Sequence, residues 1–233
     1  GRLVLAPNLG WRDVPIRAML EDLFGCPVEV DNDTKAAAIA ERLFGLCRRT
    51  DDFIYVTGDS GVGGALFLGG RLYRGAGGFA GEIGHIVVRP GGLPCPCGQR
   101  GCLERYASAA AVSEAWAAVT GTPEADAADC ARAVDAEDPK AREVWQHAVD
   151  TLADGLITAL TLLDPRTLII GGGLAEAGET LFTPLGEAVR QRITFQKPPT
   201  IVPAALGDTA GCLGAGLLAW DLLDKTNSSE ATA

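Results

Sequence analysis

Apolar positions recur along this chain with two periods, and the switching between them predicts an α/β protein. Residues 2–7 read as a short strand closed by Pro7, followed by a loop over 8–10. From 14 to 24, Ile16, Met19, Leu20 and Leu23 fall at helical spacing, with Asp13 as candidate cap, Pro15 in the first turn and Gly25 as the stop. Residues 27–30 predict a brief strand running into Asp31-Asn32-Asp33, and 34–44 an alanine-rich helix. Strands follow over 53–57 and 65–68, joined by a glycine-rich turn over 58–64, and Gly69-Gly70 turns a hairpin into 71–73. Helices are expected over 109–119 and 141–163, the second ended by Asp164-Pro165, with 121–138 between them irregular or weakly helical. A buried strand over 167–170 leads into Gly171-Gly172-Gly173. A helix over 179–195, a strand over 200–203 and a small-residue helix over 212–223 complete the pattern, and the polar residues from Thr226 on read as a disordered tail.

One stretch, 79–108, is organised by side-chain chemistry rather than by period. It holds His85, then Cys95, Cys97 and Cys102, with Glu82 three residues before the histidine and Glu104 just after the last cysteine. One imidazole and three thiolates make a closed tetrahedral set for zinc, with no position left for water, so such a metal would be structural. Glycines and prolines between the donors let a short loop curl until all four converge. The alternatives are ordinary buried cysteines with a core histidine, or a disulfide. The disulfide fits poorly with seven cysteines, an odd number, and no secretory leader. Glu82, His85 and Glu104, pinned by such a loop, suit a polyhydroxylated ligand, because each carboxylate oxygen accepts from a hydroxyl.

At 233 residues, 47% of them hydrophobic, the chain can bury one large core or two small ones. Its net charge is −10 and no basic cluster interrupts the acidic balance, which argues against nucleic-acid binding by this chain itself. With no apolar run of membrane-spanning length, the expected setting is soluble, reducing and cytoplasmic. The chain opens at Gly1 without an initiator methionine and reads as the interior of a longer protein.

Asp33, at a strand-to-helix junction, is the candidate general base for a substrate hydroxyl, as in phosphoryl transfer. On local sequence alone it reads first as the helix cap, a task Asp31 or Asn32 would fill as well. Two glycine clusters after predicted strands are candidate phosphate turns: Gly61, Gly63 and Gly64 in one, Gly171, Gly172 and Gly173 in the other. Neither is a Walker-type loop, and Asp59 in the first would repel a nucleotide unless a metal or lysine offsets it.

The combination APNLGW (6–11), DNDTKAAAIAE (31–41), SGVGGALFLGGRLYRGAGGFAGEIGH (60–85), CPCGQRGCLERYAS (95–108) and LIIGGGL (168–174) resembles the ROK family of repressors, open reading frames and sugar kinases. The resemblance runs from Leu3 to about Leu223. It implies an actin-like ATPase (ribonuclease H-like) fold: two α/β lobes around a cleft for a sugar and, in the kinases, for ATP with Mg²⁺. Within that fold, 1–32 would be a remnant of the amino-terminal lobe and 33–225 the carboxyl-terminal lobe, with a zinc loop over 85–102 and a tail over 226–233. It implies that Asn32 and Asp33 bind the sugar, that Glu82, His85 and Glu104 add contacts, and that His85, Cys95, Cys97 and Cys102 hold zinc. Three departures stand out. The amino-terminal DxGGT phosphate loop is absent; Gly58-Asp59-Ser60-Gly61 stands where kinases carry Gly-Thr-Gly; and Lys35 replaces a common Asn.

Two functions follow. The first is the hexose-sensing domain of a ROK-type transcriptional regulator, dimeric, reaching DNA only through an amino-terminal segment outside this chain. The alternative is an ATP-dependent, glucokinase-like hexokinase in which Asp33 deprotonates the sugar hydroxyl. Asp59 favours the regulator.

Overall fold

The computed structural model describes residues 1–6 and 9–230; the expected strand end at Pro7, the start of the expected loop at Asn8 and the last three tail residues lie outside them. Among the described residues, one mixed sheet of five strands has the order β5-β4-β3-β6-β7. These are β3 (Phe53–Gly58), β4 (Val62–Leu68), β5 (Arg71–Tyr73), β6 (Thr167–Gly171) and β7 (Thr200–Pro203). The sequence shows why β3 is central. Its residues alternate between faces, Ile54 and Val56 entering one apolar cluster and Phe53 and Tyr55 the other, and all four are buried. Phe53 stacks on its register partner Phe67 with ring centroids 4.6 Å apart.

Helices cover both faces. On the face of Phe53 and Tyr55 lie α2 (Asp33–Phe44) and α8 (Ala210–Glu230), whose small residues Ala37, Ala38 and Ala210 enter the cluster. Their backbones almost touch: a side chain at Gly214 would put its first carbon 1.9 Å from the Ala36 carbonyl oxygen. On the other face lie α3 (Glu104–Ala107), α4 (Ala109–Thr120), α5 (Ala127–Asp135), α6 (Pro139–Leu163) and α7 (Glu179–Arg192). The long α6 starts at Asp138, whose carboxylate accepts from the N–H groups of Lys140 (2.8 Å) and Ala141 (3.0 Å), with Pro139 in the first turn. It stops at Asp164, in the left-handed region at φ 43°. Its inward stripe includes Trp145, Val149, Leu152, Leu156 and Leu160.

Several expectations are corrected. Residues 27–30 form no strand, because the Val28 N–H is taken by the Glu21 side chain (3.1 Å) rather than by a neighbouring strand. Trp11–Val14 is instead strand β2, paired antiparallel with β1 (Leu3–Ala6). Asp13 therefore does not cap α1 (Ile16–Phe24); its carboxylate pairs with Arg2, and Pro15 stands at the cap. The stretch 121–138 contains the well-formed α5, opened by a reciprocal box in which Asp126 accepts from the Asp129 N–H (2.8 Å) and Asp129 from the Asp126 N–H (3.1 Å). The expected tail is helical as far as Glu230, because α8 runs past Thr226. Among the described residues no helix is long and apolar enough to cross a membrane.

Candidate functional site

Three elements converge where β3 turns into β4. First comes the start of α2. Asn32, with extended backbone, is the cap: its Oδ1 accepts from the Lys35 N–H at 3.0 Å. Asp33 is thereby released from capping. Asp33 is an exposed residue; its Oδ1 accepts from the Thr34 N–H at 2.7 Å, and its Oδ2 carries no protein hydrogen bond among the described residues. Thr34 is buried against the sheet, and a side chain at Gly63 would place a carbon 2.3 Å from its Oγ1. Gly63 and Gly64 lie in β4, paired with Thr57 and Val56, so they form no open turn. Their missing side chains admit Thr34 and the Gly81 carbonyl respectively.

The second element is the cysteine loop. A short 3₁₀ turn, Ile83–His85, presents the histidine just after Glu82. A side chain at Gly84 would collide with the Val62 carbonyl, at 2.1 Å, so this turn lies directly on β4. His85 Nδ1 is 3.7 Å from Cys95 Sγ, Cys97 Sγ is 3.7 Å from Cys102 Sγ, and all four donor atoms lie within 4.8 Å of one another. A tetrahedral zinc thiolate site has sulfur–sulfur edges of about 3.8 Å, from Zn–S bonds of about 2.3 Å. Loop hydrogen bonds set this spacing: the Cys95 N–H donates to the Gln99 carbonyl (2.9 Å) and the Gly98 N–H to the Cys95 carbonyl (3.0 Å). Burial raises Cys95, where the Cys97 thiol adds to the rise and the Cys97 N–H and Cys102 oppose it, and burial pushes Cys102 up to about 12 with both neighbouring thiols adding to the effect. Cys97 is also penalised by burial, yet it falls below the usual thiol range because the Gln99 N–H and the other thiols stabilise its thiolate. Three thiols in one small space cannot all ionise alone, and a dication would relieve that conflict.

Glu104, opening α3 just after Cys102, faces back to the hairpin. Its Oε2 accepts from the Val62 N–H at 3.2 Å, and Oε1 is 4.0 Å from Cys95 Sγ. Gly61 admits this carboxylate, since a side chain there would meet Oε2 at 2.3 Å. Glu104 thus bonds to one end of β4, where Thr34, next to Asp33, and Gly84, next to His85, also pack.

The third element is the glycine turn after β6. Because β3 and β6 are parallel neighbours in register at Thr57 and Gly171, their carboxyl ends lie side by side. Asp59 crosses between them and accepts from the Gly173 N–H at 2.6 Å. Gly172, at φ 79°, could carry no side chain without striking that carboxylate, at 2.6 Å. Beneath this turn the Tyr55 hydroxyl is pushed up to about 12 by burial and by the charges of Glu41, Asp59 and Asp33.

Sequence reasoning missed the supports of this site. Asp31 takes the Arg74 guanidinium in a two-pronged pair (2.7 and 2.6 Å), and Lys35 is buried with its ammonium on the Gly78 carbonyl. The partners are 43 residues apart in each case, and no local pattern signals them.

A mixed sheet clad by helices on both faces, with turns crowded at the carboxyl ends of parallel neighbours, makes this an α/β protein, the class that includes the actin-like ATPase folds. The chain belongs to the ROK family, which it matches over residues 1–221. It is 35% identical over 250 residues to a glucokinase of Halalkalibacterium halodurans, covering 99% of this chain and 74% of the relative. It is 28% identical to the xylose repressor of Bacillus subtilis, covering 94% of this chain and 57% of the repressor. The crystal structure of a ROK family glucokinase from Streptomyces griseus, in complex with glucose and AMPPNP, superimposes with a TM-score of 0.86 at 33% identity, over 94% of this chain and 76% of that one.

Proposed function

We propose that this chain is the sugar-binding lobe of a ROK hexose kinase, in which Asp33 acts as general base on a hexose hydroxyl as it attacks the terminal phosphate of ATP. The observation that carries this reading is the division of labour at the start of α2. Asn32 caps the helix, which leaves Asp33, an exposed residue, a carboxylate oxygen to take a proton. The higher identity to the glucokinase than to the repressor, 35% against 28%, supports it, as does the larger share of the relative covered, 74% against 57%.

In this reading the hexose lies against Asn32, Asp33, Glu82, His85 and Glu104. Asn32 donates from Nδ2, since Oδ1 is spent on the cap. His85 turns Nδ1 to the cysteines and leaves Nε2 for a hydroxyl. The nucleotide phosphates lie near Gly61 and Gly171–Gly173, with Mg²⁺ offsetting their charge against Asp33 and Asp59. His85, Cys95, Cys97 and Cys102 hold a structural zinc, which supplies rigidity to the loop and takes no part in the chemistry. Residues 1–32 then belong to the amino-terminal lobe and those from 33 on to the carboxyl-terminal lobe.

The test is ADP release by the intact protein with MgATP and a panel of hexoses, beside calorimetric hexose binding. Asp33→Asn should lose at least about a hundredfold in turnover while hexose still binds. Turnover surviving that change would remove Asp33 from the role of base.

One observation favours a second reading, a hexose sensor of a regulator. Asp59 occupies the Gly173 N–H with a carboxylate, where a nucleotide phosphate would otherwise find a donor. A sensor would bind hexose without turnover, and lobe closure would bias a homodimer between DNA-competent and incompetent states through a segment outside this chain. Hexose binding with no ADP release by the parent protein would select this reading.

A further inference from the structure

We propose that Lys35 is a positioning residue of the hexose pocket: its buried ammonium fixes the turn over 74–82, and through it Glu82, against the start of α2. The proposal rests on the hexose reading above. Lysine usually buries its stem and leaves its charged head in water. Lys35 does not, being 2% exposed. An ammonium taken out of water needs compensation from acceptors, and here its Nζ donates to the carbonyl of Gly78.

Gly78 lies within the turn that leads to Glu82. The turn depends on glycines in the left-handed region, with φ of 73° at Gly75, 81° at Gly78 and 95° at Gly81. It closes on itself through the Ala80 N–H on the Arg74 carbonyl, at 3.1 Å. Its two ends have contacts of their own. At one, Arg74 grips Asp31. At the other, Gly81 lies so close to Gly64 that a side chain would put a carbon 2.3 Å from the Gly64 carbonyl oxygen. Lys35 ties the middle. It stands on α2 two positions from Asp33, so the tie sets Glu82 relative to the carboxylate that would receive the hydroxyl proton. Glu82 is also coupled to the histidine, because its carbonyl accepts from the His85 N–H at 3.1 Å. A turn rich in glycine has many conformations to lose, and a single well-placed donor selects one of them before the ligand arrives.

The test uses Lys35→Met, which keeps the length of the stem and removes the donors, and Lys35→Gln, which keeps a neutral donor. Hydrogen exchange across 74–82 is read beside exchange in α6, zinc content and hexose affinity by calorimetry. Lys35→Met should speed exchange across 74–82 about tenfold and weaken hexose binding about tenfold, as loss of a supporting residue does, with α6 exchange and zinc content unchanged. Lys35→Gln should recover part of both losses, and it carries the test alone if Lys35→Met does not fold. Parent-like exchange in the turn, or parent-like hexose affinity in Lys35→Met, would overturn the proposal. So would exchange rising in α6 as well, which would make Lys35 a prop of the whole fold. A parent protein that binds no hexose would overturn the hexose reading and this role together, whereas equal binding by parent and variant would overturn this role alone.

Discussion

Three polar side chains in a row, Asp31, Asn32 and Asp33, compete for one helix start, and their backbone positions give each a different task. Asn32 caps, Asp31 holds Arg74, and Asp33, an exposed residue, is left with a carboxylate oxygen that no described residue bonds. From sequence alone any of the three could cap, so Asp33 could be named as the candidate base while the residue that caps the helix in its place could not. The cysteine spacing was far more legible, because a short loop with four soft or borderline donors has few other uses. Lys35 stood out in the sequence only as the replacement of a common Asn, and nothing local signalled its bond to a carbonyl 43 residues away. Asp59 was legible as a charge but not as an acceptor for Gly173. A unit charge about 4 Å from a phosphate contributes about 1 kcal/mol even in water. Asp59→Asn should therefore bind a non-hydrolysable ATP analogue at least about fivefold more tightly, read by calorimetry. Unchanged affinity would mean that the nucleotide never approaches this carboxylate.

At the scale of elements, the cysteine loop is fastened to the helical layer at several points, among them Arg89, which donates to both Asp154 and Thr151 on α6. Asp154 on α6 accepts from Arg89, which precedes the cysteines, at 2.8 Å, and from Arg192 on α7, also at 2.8 Å; Arg192 reaches Asp150 as well, at 3.0 Å. Burial alone would raise the Asp154 carboxyl, but the hydrogen bonds and charges of Arg192 and Arg89 bring it below the usual carboxylate range. A carboxyl depressed in the folded state stabilises above its unfolded value, near 3.9, and loses that contribution as pH falls through the folded value. The parent protein should thus melt at a higher temperature than Asp154→Asn at pH 7, and the gap should close as the pH is taken below about 4. A gap constant with pH would assign the effect to shape rather than charge. Periodicity found most helices and the central strands. It missed α5, where acidic residues that look like solvated loop are the two halves of a cap. It also placed a strand over 27–30, where a side chain from the preceding helix takes the backbone donor.

For the molecule as a whole, the sheet carries the turns, and the loop of Cys95, Cys97 and Cys102 carries the carboxylate and imidazole that face them. Glu104 follows Cys102 and bonds to the first residue of β4, so disorder in the loop would reach the hairpin directly. The parent protein should contain about one zinc per chain, and Cys97→Ser should lose metal, melting temperature and hexose binding together. A zinc-free variant with full hexose affinity would separate the loop from the pocket. The α/β class could be read from the alternation of periods, but strand order could not, since β3 finds β6 across more than a hundred intervening residues.

The two margins of the sheet have a consequence for how copies of the chain meet. One margin, β5, is three residues long, and the other, β7, ends at Pro203, which has no N–H to offer. Neither gives a second chain much backbone to zip onto, so strand-by-strand polymerisation along this sheet is discouraged. Self-association in a crowded solution would instead be governed by greasy side chains such as Phe24, Phe195 and Trp220, all well exposed. Colloidal behaviour is then set by apolar side chains on the surface rather than by the margins of the sheet.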